Sequence, residues 1–226
     1  MRLVFLSLLC LLFAGQALAD PCDELPPPSV KAKRIDEAVK LNTSYSYGSL
    51  TNIGQSIVRP GNLILGLTRG NAVVAFATSI PSYIDRKGEW ECASPQITLT
   101  YGFSPMTVYV AREFPPGTCA YNEIYQHEQR HVKAYQTHLA SLEKEVLDLL
   151  SKRFVTGGPW RGPVGQTSSR VQQELDERWT PYITRAIERV NEAQAQIDTP
   201  EEYARVAESC NGEIKQRTGQ KAKTKP

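Results

Sequence analysis

An excess of charge of one sign is missing from this chain. Its 26 Lys and Arg against 24 Asp and Glu leave +2 over 226 residues, which argues against a strongly basic nucleic-acid binder. After the first 20 residues, no apolar run approaches the roughly 20 residues of a spanning helix, so no membrane span is expected. No Cys-x-x-Cys pair or other metal spacing occurs among the cysteines. No internal repeat is visible, and there are only three histidines. At 41% hydrophobic and 22% charged, the chain is too apolar for disorder throughout and suits one domain of medium size.

The N-terminus reads as an address. Met1-Arg2 is a short basic start, residues 3–13 are apolar apart from Ser7, and Ala17-Leu18-Ala19 is a small-x-small cleavage site. Residues 1–19 are therefore expected to be a secretory signal peptide cleaved before Asp20. The competing reading is an uncleaved anchor, which the apolar run of about 11 residues is too short to be. An exported protein, periplasmic or secreted, follows. Cys10 leaves with the signal. Cys22, Cys92, Cys119 and Cys210 remain, an even number that predicts two disulfides among three possible pairings.

Residues 20–28 are a proline-rich lead-in. Residues 29–117 favour strands: Val39 to Tyr47 alternates with a period of two, and 63–65, 72–80, 97–101 and 107–111 are short β-branched or aromatic runs bounded by Gly, Pro or Ser. Gly102 to Pro105 reads as the turn of an antiparallel hairpin. That hairpin would place Cys92 and Cys119 together at its open end, leaving Cys22 to pair with Cys210. Residues 118–214 are helical. Ile124, Tyr135, Leu139, Leu142, Val146 and Leu149 recur at helical spacing up to Phe154. After a Gly- and Pro-rich connection, a second helical region runs over 168–197, bent or interrupted at Pro181. Thr199-Pro200-Glu201-Glu202 is the capped start of a third. Residues 215–226 carry five basic residues and no acid. They read as a solvated disordered tail, with weak attraction to an anionic surface such as lipid headgroups or cell-wall polymers as the functional alternative.

His127-Glu128-Gln129-Arg130-His131 is a His-Glu-x-x-His motif. Residues four apart on a helix share a face, so two imidazoles can converge on one Zn²⁺. Glu128 is then placed to act as general base toward a zinc-activated water. Random placement gives roughly 0.003 such matches in this composition. His127 and His131 would be the metal ligands and Glu128 the catalytic group. The plainer reading is a pair of buried, hydrogen-bonded histidines. His138 is excluded as third ligand, since it lies about 10.5 Å further along the same helix. The third ligand must be an Asp, Glu or rarer donor from a later segment. Glu174, Glu188, Glu192, Glu208 and Glu213 all remain open.

The runs Gln96-Ile97-Thr98-Leu99-Thr100-Tyr101, Thr107-Val108-Tyr109-Val110 and Tyr125-Gln126-His127-Glu128-Gln129-Arg130-His131-Val132 resemble an uncharacterised family of predicted bacterial secreted zinc-dependent proteases. The chain departs from that family's pattern at Arg130, where members commonly carry Gly. It departs again at Cys210-Asn211-Gly212, where they often carry His-Gly. The resemblance implies that His127 and His131 bind zinc and that Glu128 is catalytic. The resulting expectation is an α+β, zincin-like fold: a small antiparallel sheet followed by a long-helix hairpin. The expected activity is zinc metallopeptidase acting on a peptide or protein substrate. The alternative is a non-catalytic periplasmic or secreted binding or scaffold protein that keeps the helix motif structurally.

Overall fold

The structure is a computed structural model that describes residues 20–56 and 62–219. The expected signal peptide and the last residues of the basic tail lie outside the described residues.

The fold is built around one long strand, β6 (Gln96–Val110), whose alternate residues are buried. β1 (Ser29–Arg34) and β2 (Lys40–Asn42) follow one another along one edge of β6, both parallel to it. β3 (Gly66–Ser79) lies antiparallel on the other edge. A second, antiparallel sheet is formed by β4 (Ser82–Ile84), β5 (Trp90–Ala93) and β7 (Trp160–Pro163). β7 arises inside the Gly- and Pro-rich connection. The architecture is mixed α and β, and its antiparallel pairings are β3–β6 and the second sheet.

The hairpin expected at residues 102–105 is absent, because β6 runs straight through. Gly102 has φ 149° and the Ser104–Pro105 bond is cis. β3 advances two residues, Gly70 to Ala72, while β6 covers three, Met106 to Phe103. β6 therefore carries one extra residue there, a bulge rather than a turn, and Gly and Pro mark either. On the other edge the register holds across the bulge, with Arg34 opposite Tyr101 and Lys40 opposite Thr107. Gly102 is needed where Ile35 crosses, since a Cβ there would lie 2.9 Å from that of Ile35.

The disulfides are accordingly Cys22–Cys92 and Cys119–Cys210, not the pairs expected from a hairpin. Cys92 precedes β6 and Cys119 follows it. A straight 15-residue strand holds its two ends about 45–50 Å apart. Cys22 sits just before β1, which begins opposite Gln96, so it meets Cys92 at the same end of the sheet. The strand alternation read through Tyr47 also stops early. Ser46 caps α1 (Tyr47–Ile53) by accepting the Ser49 N–H at 3.1 Å, and this local cap overrides the period-two pattern.

α2 (Cys119–Phe154) is the long helix expected, started by Thr118, whose hydroxyl accepts the Tyr121 N–H at 3.2 Å. Its buried stripe includes Ile124, Glu128, Val132, Tyr135, Leu139, Leu142, Val146 and Leu150, and it packs across β1, β6 and β3. The return arm comprises α3 (Thr167–Glu174), a π-helical turn (Leu175–Trp179), α4 (Thr180–Glu188) and α5 (Val190–Ala195). The Thr180 N–H reaches back five residues to the Leu175 carbonyl, and Pro181, which has no N–H to donate, follows. That is the interruption expected at Pro181. The arm runs antiparallel to α2: Arg153 meets Glu174, Glu145 meets Tyr182, His138 meets the Ala186 carbonyl and His131 meets Gln194. α6 (Pro200–Glu208) starts at the expected cap, with the Thr199 hydroxyl accepting the Glu202 N–H at 3.2 Å. α7 (Glu213–Thr218) continues into the segment expected to be disordered from residue 215.

Candidate metal centre

His127 and His131 stand on one flank of α2, facing the chain between α5 and α6. Their Nε2 atoms are 3.1 Å apart, and each lies 3.2 Å from Asp198 Oδ1. The three residues form a group able to hold a metal ion. His131 is buried, His127 is nearly so and Asp198 is one-third exposed. Asp198 is the later-segment carboxylate that the sequence required but did not single out. It immediately precedes the Thr199 cap, in a short connection rather than on a helix face.

The glutamates weighed as third ligand are placed elsewhere. Glu188 and Glu192 are exposed. Glu174 binds Arg153, Glu208 pairs with Lys215 and Glu213 with Arg217. His138 Nε2 donates to the Ala186 carbonyl on the far helix at 2.8 Å.

Each histidine is held on its other nitrogen as well. His131 Nδ1 is 2.5 Å from Gln194 Oε1, and Gln194 Nε2 donates to the His131 carbonyl at 3.3 Å. His127 Nδ1 lies 3.2 Å from Glu202 Oε1 and 2.8 Å from Arg130 Nη2. Arg130 and Arg205 both bind Glu202, and Arg205 also pairs with Glu123 at 2.8 Å. Hydrogen bonds from Arg205, with Arg130 and His127 adding to them, hold the Glu202 carboxyl down at about 2. Burial pushes the Asp198 carboxyl up, but hydrogen bonds from His127 and His131 outweigh it and leave the group well below the usual carboxylate range. Burial pulls His131 down, yet Asp198 and Glu128 overcome it and the net shift is upward.

Glu128 is 3% exposed and occupies a position in the α2 stripe that a hydrophobic residue would normally fill. It faces β3 and accepts the Thr68 hydroxyl on Oε2 at 2.7 Å. Burial raises its pKa against the opposing pull of His131 and His127. Placing a carboxyl in an apolar seam is costly, and such raised groups gather at functional sites. Close approach makes room for it: a Cβ on Gly66 would lie 2.5 Å from Glu128 Oε1.

No family model, no curated protein and no solved structure matches this chain. Two disulfides, and the absence among the described residues of a helix long and apolar enough to cross a membrane, are compatible with export.

Proposed function

We propose that this protein is a zinc-dependent metallopeptidase. The observation that carries the reading is the donor triangle of His127, His131 and Asp198, with sides of 3.1, 3.2 and 3.2 Å, next to the buried carboxyl of Glu128. A tetrahedral ion with bonds of about 2.0–2.1 Å sets its donors about 3.3–3.4 Å apart, so the triangle is near the size zinc needs. Two imidazoles and one carboxylate also leave a fourth position, as catalytic zinc sites do. When bound, the ion supplies Lewis acidity that polarises a carbonyl and acidifies water.

The chain's own residues supply the rest. Glu128, one residue beyond His127, is the general base, a carboxylate that takes up the water's proton and returns it to the leaving group. Thr68 orients its carboxyl. β3, which carries Gly66 and Thr68, pairs with no strand but β6 among the described residues. Its outer edge has the character that strand addition of an extended peptide requires. The resemblance of residues 125–132 to secreted zinc-dependent proteases points the same way. The second reading, a non-catalytic binding or scaffold protein, is favoured by the depth of Glu128 under β3 and its bond to Thr68.

Zinc analysis and peptide hydrolysis by the purified protein test the proposal. His131→Ala and Asp198→Ala should lose both zinc and hydrolysis. Glu128→Gln should keep zinc and lose hydrolysis, because an amide cannot accept the proton. Equal zinc in wild type and a His127→Ala/His131→Ala double variant overturns the metal site. Full activity in Glu128→Gln overturns the mechanism, and zinc without hydrolysis in wild type favours the scaffold.

A further inference from the structure

The side-chain amide of Gln194 touches His131 at two points. Its Oε1 lies 2.5 Å from His131 Nδ1, and its Nε2 lies 3.3 Å from the His131 carbonyl oxygen. The two contacts together orient the amide. If it were flipped, an amide oxygen would face a carbonyl oxygen, two acceptors with no proton between them. With the nitrogen toward the carbonyl, Oε1 faces Nδ1, and an amide oxygen can only accept. Nδ1 must therefore carry a proton. Nε2 is then the nitrogen turned toward a metal ion, on the side where His127 Nε2 and Asp198 Oδ1 converge, and in the absence of an ion a proton on it is donated to Asp198.

From this we infer that Gln194 is a positioning residue for the metal site: it accepts the Nδ1 proton of His131 and fixes the ring with Nε2 turned toward the ion. The inference rests on the metal-site reading above. The fold supports it, because Gln194 and Asp198 come from one short stretch of chain. α5 ends at Ala195 and α6 begins at Pro200. The stretch that delivers the carboxylate ligand thus also delivers the group that holds the facing histidine. His127 has no equivalent constraint, since its Nδ1 is shared between an acceptor, Glu202, and a donor, Arg130. Gln194 is accordingly the residue that fixes the Nδ1 side of one ring of the pair.

The test measures the Nδ1 proton and the metal separately. In metal-free protein, long-range proton–nitrogen NMR should show a slowly exchanging proton on His131 Nδ1. In Gln194→Leu that signal should be lost to fast exchange with solvent. Chelator competition with Zn²⁺ should then show an affinity about 10–100-fold weaker for Gln194→Leu, the range typical of lost outer-shell partners. Gln194→Met keeps the length of the side chain without a strong acceptor and should weaken zinc as much as Gln194→Leu, so a general packing role is separated from a hydrogen-bonding one. An unchanged Nδ1 proton signal and affinity in Gln194→Leu overturns the inference, as does zinc affinity in Gln194→Met within about threefold of wild type. A wild-type protein that binds no zinc overturns the metal reading instead, while the NMR result still judges Gln194.

Discussion

Gly66→Ala adds one methyl group where β3 crosses α2, and the geometry leaves no space for it. The new Cβ would lie 2.5 Å from Glu128 Oε1, 2.7 Å from Ile124 Cγ2 and 2.8 Å from Glu128 Cγ. Carbon contacts relax at about 3.5–4.0 Å, so helix and strand must separate by roughly 1 Å or Glu128 must leave its place. Ile124 is a fully buried core residue, which makes the helix slow to yield. Overpacking of this kind costs about 1–3 kcal/mol. With a urea m-value of about 2 kcal/mol per M, a loss of 2 kcal/mol lowers the midpoint by about 1 M. The metal group should be spared, because His127, His131 and Asp198 meet on the flank facing the α5–α6 connection. Zinc affinity within about threefold of wild type, with hydrolysis strongly reduced, is therefore expected. Urea melts, chelator titration and a peptide assay measure the three quantities. A midpoint within about 0.2 M of wild type would show that the close approach of β3 to α2 is not as described.

Two further outcomes test the frame. Peptide mapping of non-reduced protein should yield Cys22–Cys92 and Cys119–Cys210 peptides. Removing the second bridge, which spans 91 residues, should cost about 4–5 kcal/mol in the chain-entropy model, read as a lower melting temperature. Glu91 accepts the N–H groups of Gly165 and Thr167 at 3.0 and 2.7 Å, and Thr167 is buried. Glu91→Ala should cost about 1–3 kcal/mol by leaving that donor unpaired. The Gly165 N–H, with help from Thr167, holds the Glu91 carboxyl below its ordinary 4.5. Its stabilising contribution is therefore complete above pH 4.5 and is lost as pH falls through the lower folded value. Glu91→Gln should show a correspondingly shallower loss of melting temperature between neutral and acid pH.

Patterns confined to one element could be read from the sequence. The stripe from Ile124 to Phe154 gave α2 to within a residue, and the Thr199 cap and the interruption at Pro181 lie where local chemistry put them. Patterns that depend on partners could not. Gly102 and Pro105 look the same in a turn and in a bulge, and only the strands beside β6 decide between them. The disulfide pairing hangs on the same point, because a hairpin would bring Cys92 and Cys119 together where a straight β6 keeps them apart. His127 and His131 were legible because one helix carries both. Asp198 was not, since it comes from a connection 67 residues beyond His131. Its only trace was the acidic run around Thr199. Gln194 gave no signal at all: an amide on a mostly exposed helix differs from a solvated one only through what it faces.

α6 has no fully buried residue, and Val206 on it packs only partly buried against the core. It is also fastened near both ends. Asp198 and Glu202 meet the histidines at its start, and Cys210 is bonded to Cys119 beyond its end. Cys119 lies 127 − 119 = 8 residues before His127 on α2, about 12 Å along a helix. The bridge therefore confines Asp198 to a small volume beside the two imidazoles. In that volume its effective concentration is millimolar or higher, whatever the protein concentration. The site then behaves as a chelate with one arm on a tether, and cutting the tether releases the third donor without touching any ligand. Under the proposed metal reading, reduction of Cys119–Cys210 would thus loosen metal retention from a distance and link it to the thiol–disulfide balance of the surroundings.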